Sequence, residues 1–62
     1  MINKIATVKT SYKKVISGTK VIVKDAFYSA ETDCIVYECY SSFKADRKNY
    51  VGYIPETVLK FN

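Results

Sequence analysis

Lys20-Val21-Ile22-Val23-Lys24-Asp25-Ala26-Phe27 decides how this chain is read. Val21 and Val23 point to one side, and Lys20, Ile22 and Lys24 to the other. That two-residue period belongs to a half-buried strand and not to a helix. β-Branched residues dominate it, as a pleated surface favours. The segment is therefore expected to be a strand with Val21 and Val23 in the core and Lys20, Ile22 and Lys24 on the outer face.

The same alternation extends in both directions. Upstream, Lys4–Thr10 reads as a strand with Ala6 and Val8 on one face and Ile5, Thr7 and Lys9 on the other. A polar turn, Ser11–Lys14, follows, and Val15–Thr19 leads into this second strand, with Gly18 able to take a positive φ. Downstream, Ser29–Asp33 reads as a loop and Cys34–Ser41 as a third strand. Its core face is either Ile35, Tyr37 and Cys39 or Cys34, Val36 and Tyr40. The first set is preferred, because Glu38 shares a face with the second. Ser42–Asn49 is a polar loop holding Phe43 and a charged tip, Lys44-Ala45-Asp46-Arg47-Lys48. The fourth strand, Tyr50–Ile54, puts Tyr50, Gly52 and Ile54 on one face, with Gly52 and Ile54 counted to the core, and Val51 and Tyr53 outside. Pro55–Val58 reads as one helical turn with Pro at its start. Leu59–Phe61 closes as a short strand with Leu59 and Phe61 inward. Five short strands at near-regular spacing predict an all-β small barrel or sandwich.

At 62 residues the chain is expected to be one domain, 1–62. A composition 48% hydrophobic and 26% charged is that of a folded domain and not a disordered one. No apolar run is long enough to cross a bilayer as a helix. Met1-Ile2-Asn3-Lys4-Ile5 lacks the apolar stretch of a signal peptide. The expected location is the cytoplasm, with no membrane partner. Cys34 and Cys39 lie five residues apart in one strand, about 16 Å at 3.3 Å per residue, too far to pair with each other. They read as free thiols. The chain has no His, and two Cys alone make no metal site. The lean towards Lys, Asn, Ile, Tyr and Phe is the usage of A/T-rich codons, which fits a low-GC bacterium or its phage.

Charge is unevenly spread. Residues 1–24 carry six lysines and no acid, whereas residues 25–62 carry four basic and six acidic residues. A basic front portion suggests an acidic partner.

Two segments resemble the Src-homology-3 family. Val15-Ile16-Ser17-Gly18-Thr19-Lys20-Val21-Ile22-Val23 is similar to its diverging turn and second strand. Val51-Gly52-Tyr53-Ile54-Pro55-Glu56-Thr57-Val58-Leu59 is similar to its Gly-x-apolar-Pro segment, where a strand runs into a one-turn helix and a last strand. The resemblance implies a five-stranded SH3-like barrel with a short helical turn near Pro55. It does not imply the family's proline-rich ligands. Of the aromatic strip that docks them only Pro55 matches, Val58 stands in place of the usual Tyr, and there is no Trp.

Catalysis is not expected. Without His the usual general base near neutral pH is missing, and no Ser-His-Asp or glycine-rich phosphate motif exists. No cofactor is implied. The expected function is non-catalytic binding of a protein with an acidic surface, as in a small phage or prophage accessory protein acting on a host partner. The alternative is nucleic acid, with lysines on phosphates and tyrosines as stacking platforms. The candidate contact residues are Lys9, Tyr12, Lys13, Lys14, Lys20, Ile22, Lys24, Tyr28, Tyr53 and Pro55. The chain is expected to be a monomer or a weak homo-oligomer.

Overall fold

The computed structural model describes residues 3–44 and 46–61. Met1 and Ile2, in the start read as lacking a signal, and Ala45, in the charged loop tip, lie outside them. Five strands form one antiparallel sheet: β1 (Lys4–Val8), β2 (Lys20–Ser29), β3 (Cys34–Tyr40), β4 (Tyr50–Pro55) and β5 (Leu59–Phe61). Two single-turn 3-10 helices, η1 (Arg47–Asn49) and η2 (Glu56–Val58), precede β4 and β5. Among the described residues, no helix is long and apolar enough to cross a membrane.

The strand order is β4-β3-β2-β1-β5. The hydrogen-bonded ladder does not close, so β4 and β5 are its two ends, and η2 carries the chain from one to the other. The core gathers on one face: Ala6, Val8, Val21, Val23, Cys39, Ile54 and Leu59. The ladders place Ala6 opposite Val21, Val8 opposite Leu59 and Val23 opposite Cys39. Alternation placed Ala6, Val8, Val21, Val23, Ile54 and Leu59 correctly, and Tyr37 and Cys39 mark the core face of β3. Phe61, expected inside, lies at the margin, 38% exposed with its ring edge-on to Tyr37 at 5.1 Å.

Two irregularities break the simple alternation. In β2, Val23 pairs with Cys39 and Asp25 with Glu38, which leaves Lys24 as an extra residue. In β4, Gly52 pairs with Cys39 and Tyr50 with Tyr40, which leaves Val51 extra. A bulge inserts one residue and re-aims the side chains beyond it. Val51 consequently packs against the core, and Tyr50, expected on the core side, is turned out to 45% exposure.

Gly52 sustains the second bulge with φ +141°, a backbone conformation that side chains disfavour. A Cβ there would meet no atom within 4 Å, so substitution strains only the backbone. Gly52→Ala is expected to destabilise by about 1–3 kcal/mol. A lower urea midpoint at unchanged m-value reads this out, and an unchanged midpoint would refute the strain.

Candidate functional site

The outer face of β2, β3 and β4 is built by the bulge at Val51. Because Val51 turns in, Tyr50 and Tyr53, three residues apart, both stand on the outer face beside Tyr40 and Glu38 of β3. Their rings meet edge to face, Tyr50 to Tyr53 at 6.0 Å and Tyr40 to Tyr50 at 5.6 Å. Phe27 of β2 reaches across β3 to join Tyr53 at 5.2 Å. These are the offset geometries that aromatic quadrupoles favour. The four rings form a continuous ridge, with Phe27, Tyr50 and Tyr53 exposed at 46%, 45% and 48%. Beneath it lie Val36 and Pro55, buried and paired across the ladder.

Carboxylates sit among the rings. Glu38 stands opposite Tyr53 on one side and opposite Asp25 on the other. Like charges directly opposed across a ladder are unfavourable. The Tyr40 hydroxyl donates to Glu38 Oε2 at 3.1 Å. Desolvation raises the pKa of Tyr40, and its bond to Glu38 adds to this. Tyr50 is raised by desolvation and then by Tyr53 and Glu38.

A groove flanks each side of the ridge. One, of about 380 Å³, lies between β4 and the Tyr12–Val15 turn and is lined by Tyr12, Lys13, Lys14 and Val15. That turn is closed by two backbone bonds between Tyr12 and Val15, of 2.8 and 2.9 Å, and Lys13 takes a positive φ of 54°. Lys13 Nζ lies 5.6 Å from the Tyr12 ring centroid. The other groove, of about 400 Å³, is lined by Glu38, Tyr40, Asp46 and Arg47. Asp46 is fixed there as the cap of η1, accepting from Asn49 N at 3.2 Å. Tyr50 and Tyr53 border both grooves.

The ten candidate residues do not form one surface. Tyr12, Lys13, Lys14 and Tyr53 come together around the first groove. Three are corrected by the structure. Ile22, expected outside, is only 8% exposed, sandwiched between Ile5 and Tyr40 in the two ladders. Lys24, also expected outside, is only 7% exposed. The β2 bulge re-aims it, so that Nζ donates to Asn3 Oδ1 at 2.6 Å and lies 5.6 Å from the Phe43 ring centroid. Pro55 is buried where β4 ends. Lys20 is exposed at the start of β2. Tyr28 lies about 26 Å further along that strand, at 3.3 Å per residue. Tyr28 pairs with Ile35, on the face opposite Phe27, and its hydroxyl donates to the Asp33 carboxylate, which raises its pKa. Lys9 is exposed next to η2, its N–H bonded to Val58 O at 2.7 Å.

Phe27, Tyr40 and Tyr50 belong to the ridge and were not among the candidates. The one signal available was Gly52, since an isolated Gly in a strand pattern marks a bulge.

The two thiols differ sharply. Cys39 is fully buried, and burial, reinforced by the Glu38 charge, pushes its pKa up to about 12. Cys34 is half-buried, and its Sγ lies 3.4 Å from Thr32 Oγ1. At pH 8 the native protein is expected to show one readily alkylated thiol, Cys34, with Cys39 reacting only on unfolding. Two equally fast thiols would contradict the buried placement. With its folded pKa above the ordinary 9.0, Cys39 contributes stability below pH 9 that is lost as pH rises towards about 12.

Compared with known proteins, the chain matches no family model, no curated protein and no solved structure.

Proposed function

We propose that this chain is a small non-catalytic binding module, and that its partner is a protein docking on the Phe27–Tyr53–Tyr50–Tyr40 ridge. The observation that carries the reading is that four touching rings are left on one sheet face, three of them about half exposed. Contiguous exposed aromatic surface is uncommon on monomers and is enriched at interfaces. Lys13 and Lys14 beside the ridge give an acidic segment of the partner a seat. The scaffold is read as an SH3-like small barrel. The strand order, the positive φ of 91° at Gly18 in the diverging turn, and η2 directly after Pro55 support that reading. Residue usage supports an origin in a low-GC bacterium or its phage for such an accessory module.

Nucleic acid is the second reading, favoured by one observation: Tyr12, Lys13 and Lys14 line a groove together. Asp25 and Glu38 argue against it, since they would repel a phosphate chain laid along the ridge. Pull-down from a nuclease-treated extract is the test. Retention of a partner that is lost with Tyr53→Ala supports the protein reading. A gel shift with a steep salt slope, together with loss of all capture after nuclease, would replace it with the nucleic-acid reading.

A further inference from the structure

The two grooves carry opposite charge. Lys13 and Lys14 make one side of the ridge positive. Glu38 and Asp46 outnumber Arg47 on the other, and Asp25 opposite Glu38 adds to the negative side. A surface with this pattern is complementary to itself. If a two-fold axis runs along the ridge, the rings of two copies meet, and the positive side of each copy falls on the negative side of the other. That is the self-matching required of a symmetric dimer interface. No Lys or Arg among the described residues forms an ion pair with Glu38, whose hydrogen bond is with Tyr40.

We infer that the occupant of the ridge is a second copy of this chain, held as a two-fold dimer by ring contact and by Lys13 and Lys14 against the Glu38 side. This rests on the reading of the ridge as a docking face and names the partner. An aromatic side chain offers about 150–250 Å², so the three half-exposed rings supply about 300 Å² per copy. The total of about 600 Å² from the rings is below the size of a standard stable interface. The association is therefore reversible, with a dissociation constant in the micromolar to millimolar range.

Sedimentation equilibrium across concentration and salt tests this, using two charge-reversed variants. One is Lys13→Asp with Lys14→Glu, where Asp tolerates the positive φ at position 13. The other is Glu38→Lys. Wild type is expected to dimerise, more weakly at high salt. Each variant alone is expected to lose dimerisation at least tenfold while keeping the wild-type circular dichroism. Mixed in equal amounts they are expected to pair with each other, because every reversed charge then faces its opposite. Wild type that stays monomeric to millimolar concentration, or variants that fail to pair when mixed, would overturn the dimer. The docking reading falls separately, if Tyr53→Ala leaves capture of other proteins intact.

Discussion

Ile54→Ala is expected to remove about 2–5 kcal/mol of stability, the usual cost of truncating a large buried aliphatic side chain. Ile54 is 1% exposed, stands opposite Tyr37 and is among the largest fully buried side chains. For 62 residues the whole folding free energy is roughly 3–9 kcal/mol, at 0.05–0.15 kcal/mol per residue. One truncation therefore consumes a large fraction of it. Urea unfolding followed by circular dichroism should show the native baseline shortened or absent. A shift below about 1 kcal/mol would mean that Ile54 does not sit where β3, β4 and the core converge.

Tyr53→Ala is the second large effect, and it falls on binding. Tyr53 is the hinge of the ridge, touching Phe27 on one side and Tyr50 on the other, and it borders both grooves. Central aromatic anchors at interfaces cost 2 kcal/mol or more when truncated, about 30-fold in affinity. Capture of the partner, whether a second copy or another protein, should drop by at least that factor. Tyr28→Phe is the matching control. It removes an exposed hydroxyl from the opposite face and should leave affinity within about threefold. Equal losses from both substitutions would show that the ridge holds no privileged position.

The core of this fold was legible because strand alternation is a hard geometric rule. Val21 and Val23, Ala6 and Val8, and Ile54 and Leu59 each obey it. So was the single turn near Pro55, although Pro55 itself ends β4 in extended conformation and the turn begins at Glu56. The candidate site was much less legible, and the reason is counting. Alternation assumes that every residue advances the strand by one step. The extra residues at Lys24 and Val51 break that assumption. At the first bulge, a lysine assigned to solvent lies beside Phe43 and bonds Asn3. Across the second, a tyrosine placed on the face of Gly52 and Ile54 comes out to complete the ridge. Lysine density at the front of the chain was real, and of it Lys13 and Lys14 line the groove of about 380 Å³ beside the exposed rings.

The surplus residue in β4 has a consequence for how this surface could change over descent. Deleting Val51 would leave every aromatic in the chain and restore strict two-step phase, with Tyr50 two residues from Tyr53 and still on the outer face. The ridge would keep its four rings, and the cost would fall on the core, against which Val51 packs. The pattern of this face thus survives loss of the surplus residue, and a new specificity is reached by exchanging its rings.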